Sequence, residues 1–190
     1  TTPVVDMSDS NFGGLSAYAS GRVGVDLYAT ANRLGPTFNN FVVRDSAGTE
    51  VFRDNFGEDP FDPLLPWISH SGTWSVSNGA MTGTAAASQY GMVYTPAQPN
   101  WTDFRVDGLM QLPAGSYGGA LVGRLNTTSG AHYAAWVYPD GSAAGSNLLH
   151  LYKYTGWTTR IETPLAEATL PSVGAGQHRI EMMLIGNHIQ

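Results

Sequence analysis

Hydrolysis of a glycosidic bond needs two carboxyl groups about 5–9.5 Å apart, one on either side of the scissile linkage. The densest carboxylates in this chain, Glu58, Asp59 and Asp62, do not offer that arrangement. They share a stretch with Pro60, Pro63 and Pro66 that reads as a solvated loop, whereas a strand would present alternate residues to one cleft. Glu162, Glu167 and Glu181 stand alone. Gly14-Leu15-Ser16-Ala17-Tyr18 comes nearest to the Gly-x-Ser-x-Gly turn of serine hydrolases, yet lacks the last glycine and the helix that should follow. His70, His132, His150, His178 and His188 are scattered, without the helical spacing of a zinc-binding pair. Gly21-Arg22-Val23-Gly24 is no phosphate loop, since neither Lys-Ser/Thr nor a helix follows. The chain has no cysteine and so no thiol nucleophile. The expectation is a protein that is not an enzyme and requires no cofactor.

Binding chemistry is better represented. Calcium takes carboxylate and carbonyl oxygens from loops, and Asp54, Asp59 and Asp62 are the candidate ligands, with Asp6 and Asp9 in similar surroundings. No Asp-x-Asp-x-Asp loop is present, and aspartate bonding its own turn is the simpler account. The aromatics carry more information. In Leu149-His150-Leu151-Tyr152-Lys153-Tyr154, strand alternation puts His150, Tyr152 and Tyr154 on one face and the leucines on the other. Trp136 and Tyr138 share a face in the same way, and Trp157 follows shortly after. Flat rings with polar tips stack on sugars, fill protein interfaces, or form half of a two-sided core. These six residues are the candidate glycan or partner surface.

Such groups must be positioned by strands, because strand periodicity runs through the whole chain. Val23, Val25 and Leu27 fall on one face of their segment, as do Phe104, Val106, Met110 and Leu112, and Ile180, Met182 and Leu184. Short runs of period 2 broken by Gly, Pro, Asn or Ser predict an all-β antiparallel sandwich. Asn78-Gly79 between strand-like flanks predicts a type I′ hairpin; Pro139-Asp140-Gly141 and Gly186-Asn187 mark further turns. Leu165-Ala166-Glu167-Ala168-Thr169-Leu170 has helical composition but lies between Pro164 and Pro171, which leaves room for one turn at most.

Composition narrows the partners. Only 13% of the 190 residues are charged, the net charge is −6, and Lys153 is the only lysine. Without clustered cations a nucleic acid is not an expected partner. No apolar run approaches the ~18 residues of a membrane span, so membrane insertion is not expected. The segment from Thr1 resembles no secretion signal, and any such signal is expected outside this chain. A neutral surface rich in Gly, Ala, Ser, Thr and aromatics suits an extracellular or cell-surface protein facing glycans or other copies of itself.

From residue 51 the landmarks are Phe52-Arg53-Asp54-Asn55-Phe56, Trp67, Gly72-Thr73-Trp74-Ser75-Val76, Trp101-Thr102-Asp103-Phe104, Gly118-Gly119-Ala120-Leu121-Val122-Gly123-Arg124 and His178-Arg179-Ile180-Glu181. This order resembles the opening and middle of bacterial laminin-G-like, concanavalin A-like jelly-roll modules, with Asp54 at the family's Asp-x-Phe landmark. The family's closing third is matched at the other end, by Pro3-Val4-Val5-Asp6, Ser8-Asp9-Ser10-Asn11-Phe12, Gly21-Arg22-Val23-Gly24-Val25 and Phe38-Asn39-Asn40-Phe41-Val42-Val43. The resemblance therefore covers nearly the whole chain in rotated order. It implies closing strands in 1–44, a link in 45–51, and opening and central strands in 52–190.

Two arrangements satisfy this rotation. Residues 1–44 complete their own sandwich as a circular permutant, or they complete a neighbouring copy. Open sheet edges at both ends of the chain favour the second, since unpaired edges template association. In that arrangement Val4, Val5, Val23, Val25, Leu27, Phe38, Phe41 and Val43 are donated, and Ile180, Met182, Leu184 and Ile189 line the acceptor. The expected function is a structural or adhesive module of a surface fibre or filament, its partners being further copies joined head to tail. The alternative is a carbohydrate-binding module of a secreted or surface protein. On the family resemblance, calcium would be its only ion.

Overall fold

The computed structural model describes residues 2–31, 35–57, 64, 66–96 and 100–190. In chain order the strands are β1 (Met7–Ser8), β2 (Arg22–Ala29), β3 (Thr37–Asp45), β4 (Glu50–Asp54) and β5 (Ile68–Ser71). Next come β6 (Thr73–Ser77), β7 (Ala80–Thr84), β8 (Gln89–Tyr94), β9 (Phe104–Gln111) and β10 (Gly119–Leu125). The last are β11 (His132–Tyr138), β12 (Leu148–Tyr154), β13 (Ala166–Thr169), β14 (Gln177–Ile185) and β15 (His188–Ile189). Among the described residues the only helical element is a 3-10 turn at Phe12–Gly14.

The strands form two antiparallel sheets packed as a sandwich. The first runs β1-β15-β14-β9-β3-β7-β6, with β4 also on β3. The second runs β13-β12-β11-β10-β2-β8-β5. Between them lie the alternate residues expected from the period-2 pattern: Val23, Val25 and Leu27 from β2, Phe104, Val106 and Met110 from β9, and Ile180, Met182 and Leu184 from β14, all buried. Phe38 and Phe41 both face this core although three residues apart, because the β3–β9 register shifts between Asn39 and Val42 and Asn40 takes a positive φ of 49°. A bulge of this kind resets which face a side chain meets. The Asn78-Gly79 turn joins β6 to β7 with φ of 52° and 71°, the double left-handed conformation of a type I′ hairpin.

Residues 166–169, which left room for one helical turn at most, form none. They form the edge strand β13, paired with Leu148–Leu151 of β12. Six residues between prolines cannot offset the cost of nucleating a helix, whereas the β12 edge satisfies the backbone groups of β13 at once.

The N-terminal strands pair within their own chain: β2 lies between β10 and β8, β3 beside β9, and β1 against β15. Residues 45–49 form the hairpin turn from β3 to β4, closed by Asp45, whose carboxylate accepts from the Ala47 and Thr49 amides. The irregular arm between β1 and β2 is held by two buried cations. Lys153 projects inward from β12, is 0% exposed, and sits 2.7 Å from the Asp9 carboxylate. It donates to the carbonyls of Leu15 at 2.6 Å and Ser16 at 3.1 Å, and Tyr133 donates to the same Asp9 carboxylate. Arg124 donates to the carbonyls of Tyr18, Thr102 and Gly186. Asp9, considered above for calcium, is thus an internal ion-pair partner.

Candidate functional site

The alternation that buries one face of the second sheet must project the other set of residues outward. That set is Asp26 and Tyr28 of β2, Tyr90, Met92 and Tyr94 of β8, Ala120 and Val122 of β10, and His132, Ala134, Trp136 and Tyr138 of β11. His150, Tyr152 and Tyr154 of β12 complete it. Register aligns them in rows across the sheet. One row reads His150, Trp136, Ala120, Asp26, Met92; the next reads Tyr152, Ala134, Val122, Gly24, Tyr94. Small residues at the centre let the flanking rings lean inward, and the outer face becomes a second apolar cluster separate from the intersheet core.

The cluster has two levels. Trp136 at 1% exposed, with Tyr138 and Tyr154 similarly buried, forms the floor. Above them Tyr28, Tyr90, Tyr94, Tyr117, Trp157 and Arg160 are half-buried and form the accessible rim. Tyr28 packs on Tyr117 and Tyr90 with ring centres 4.6 and 5.0 Å apart, and Tyr90 meets Trp136 edge-on. His70 of β5 stacks on Trp157 at 3.5 Å, and Arg160 lies over the Tyr152 ring at 4.2 Å.

Polar atoms are enclosed within the rings. The Trp136 Nε1–H has no hydrogen-bond partner among the described residues. Asp26 is fully buried, and neither carboxyl oxygen accepts a well-formed hydrogen bond. Burial therefore pushes its carboxyl well above the usual carboxylate range, and the neighbouring Leu27 amide offsets only part of this. His132 contacts the Gly130 carbonyl through Nδ1, and burial pushes its imidazole down to about 4. His150 is fixed between Tyr152 Oη at 2.9 Å from Nδ1 and Glu167 Oε2 at 2.8 Å from Nε2. Burial lowers its pKa although Glu167 opposes the shift. A neutral ring can accept from Tyr152 at Nδ1, while Nε2 approaches Glu167 without a well-formed hydrogen bond.

All six residues expected to form a glycan or partner surface, Trp136, Tyr138, His150, Tyr152, Tyr154 and Trp157, come together here. The sequence reading did not single out most of the rim. Tyr28, Tyr90 and Tyr94 carry a usable signal, since each lies at the parity opposite a core-facing valine or leucine. Tyr117 and Arg160 come from loops, and no periodicity marks them.

On the aromatic face the described carboxylates are dispersed, whereas on the first sheet Asp107 and Glu181 face each other across β9 and β14 and share Arg179 at 3.1 and 3.3 Å. Glu167 and Asp26 occupy the same row four strands apart, about 19 Å at the usual interstrand spacing. Asp54 caps its loop through the Phe56 amide at 2.7 Å and accepts from the Trp67 indole at 2.6 Å. Glu58, Asp59 and Asp62 lie outside the described residues. Asp6 meets His188 at 2.9 Å on the surface.

Of the residues considered for strand sharing, Val23, Val25, Leu27, Phe38, Phe41, Val43, Ile180, Met182, Leu184 and Ile189 are buried in this chain's own core. Val4 is 60% exposed. A cleft of about 720 Å³ opens between the sheets where Val4 and Val5 meet Ile180, Met182 and Ile189. Compared with protein-family models, curated proteins and solved structures, the chain matches none.

Proposed function

We propose that the chain is a non-catalytic, glycan-binding jelly-roll module of the laminin-G-like, concanavalin A-like kind, carried by a secreted or surface protein. The observation that carries this reading is the aromatic platform on the outer face of the second sheet. Rings are concentrated on a face that does not contribute to the intersheet core, and several are half-exposed. Sugar rings present C–H faces that stack on such aromatics. The two described carboxyls of this face, Glu167 and Asp26, lie about 19 Å apart, beyond what glycosidic cleavage uses.

Affinity electrophoresis against a panel of neutral and acidic polysaccharides tests the proposal. The wild-type chain is expected to be retarded by at least one of them. Trp157→Ala combined with Tyr90→Ala should weaken that retention at least about tenfold, the equivalent of 1.4 kcal/mol. Retention by none, or equal retention of the double variant, would count against a glycan platform.

The cleft between the sheets favours a second reading, a structural or adhesive module joined head to tail. It is lined by Val4 and Val5 from the segment considered as donor and by Ile180, Met182 and Ile189 from the acceptor side. The pairings that close the chain on itself can also form between copies, which is the principle of domain swapping. Light scattering across a concentration series should then show species above the monomer mass. Deleting residues 1–44 should abolish them and leave a poorly stable remainder. A monodisperse monomer at about 100 μM, far above the micromolar range of many specific contacts, would exclude this assembly.

A further inference from the structure

Building on the glycan-binding reading, we infer that the platform recognises a carboxylate-bearing sugar, a uronate of an acidic polysaccharide, and that Arg160 pairs with its carboxylate. Arg160 is the cation of the platform. Its guanidinium lies over the Tyr152 ring at 4.2 Å, with Tyr90, Tyr138 and Tyr154 around it. Among the described residues no carboxylate pairs with it. Glu167 is engaged with His150, and Asp26 is enclosed, its carboxyl pushed well above its ordinary value by burial. The surrounding phenols supply no counter-charge either, because burial pushes those of Tyr90, Tyr117, Tyr138 and Tyr154 above their ordinary value.

Trp136 Nε1–H, on the floor beneath the rim, can only donate and has no partner among the described residues. A half-buried guanidinium with no carboxylate partner among the described residues calls for an acceptor that carries negative charge. A uronate supplies one, while its ring C–H face stacks on the rim tyrosines. The planar guanidinium matches a carboxylate through two parallel hydrogen bonds, and the flanking rings lower the local dielectric and strengthen the pair. One arginine on a chain of net charge −6 suits recognition of one carboxylate at a time, in contrast to the dense charge of a phosphate backbone.

The test is isothermal titration of the whole chain with a galacturonate tetrasaccharide and with its carboxyl-reduced, neutral counterpart of equal length. The wild type should bind the uronate at least about tenfold more tightly. Arg160→Gln should reduce that preference to within about twofold, while Arg160→Lys keeps part of it as a point charge without the bidentate fork. Thermal unfolding of both variants separates loss of the pair from loss of the fold. An unchanged preference in Arg160→Gln, or no preference in the wild type, overturns the inference. In the latter case, binding of the neutral oligosaccharide would leave the glycan platform standing, and binding of neither would remove it too. An oligosialate titrated alongside distinguishes the source of the carboxylate, and tighter binding of it than of the galacturonate overturns the assignment to a uronate.

Discussion

Lys153→Met will cost about 3–5 kcal/mol of stability, the range for breaking one side of a buried ion pair. That is a large part of the roughly 5–15 kcal/mol that holds a typical domain folded. Both side chains of the Lys153–Asp9 pair are 0% exposed, so removing the ammonium strands the Asp9 carboxylate away from water. It also frees the Leu15 and Ser16 carbonyls that tie down the arm before β2. Urea unfolding of the single variants and of Lys153→Met with Asp9→Asn measures the coupling. The double variant should be less destabilised than the two singles added together. Strict additivity would show that the arm is held by something else.

The same pair sets an acid limit. Burial alone would raise the Asp9 carboxyl, but hydrogen bonds from Lys153, Tyr133 and the Phe12 amide outweigh it and hold the group below its ordinary value of 3.8. A depressed folded value means stability that is present above the ordinary carboxylate range and lost as pH falls through the depressed one. The wild-type unfolding midpoint should therefore drop on acidification below about pH 4, and Asp9→Asn should lack this component.

The second large effect is Trp136→Ala, expected to cost about 3–5 kcal/mol, as for other buried aromatics. Trp136 is 1% exposed although it faces away from the intersheet core, so its loss opens a cavity under Tyr90 and Tyr138. Tyr90→Ala, on the half-exposed rim, should cost less, about 1–2.5 kcal/mol, the worth of an aromatic pair added to partial burial. Chemical denaturation of the two variants separates floor from rim. A Trp136→Ala variant as stable as the wild type would mean that the face is open to solvent and the floor packs nothing.

Alternation alone made much of this molecule legible. Side chains on a strand change face at every residue, so Val23, Val25 and Leu27 share a face, as do Trp136 with Tyr138 and Tyr152 with Tyr154, without knowing which strands pair; which layer each face meets stayed open. Turn chemistry was equally local: Asn78-Gly79 specifies its hairpin because both residues tolerate positive φ. Phe38 and Phe41 facing the same core was not legible in this way, since it depends on a bulge between β3 and β9 that only the pairing of the two strands creates.

Composition and local periodicity were enough to establish an all-β sandwich with an aromatic face, because both follow from forces acting over a few residues. Three dimensions decided which of those rings are floor and which are rim, since burial depends on neighbours from distant strands and loops. They also placed Tyr117 and Arg160, which reach the platform from loops without any repeating pattern. By parity Lys153 shares the face of Leu149 and Leu151, but nothing near it in the chain offers a counter-charge. Its partner Asp9 lies more than a hundred residues away in sequence and 2.7 Å away in space. An ion pair of that kind is set by how the arm crosses the sandwich, and Coulomb attraction acts on that distance in space, to which local sequence patterns are blind.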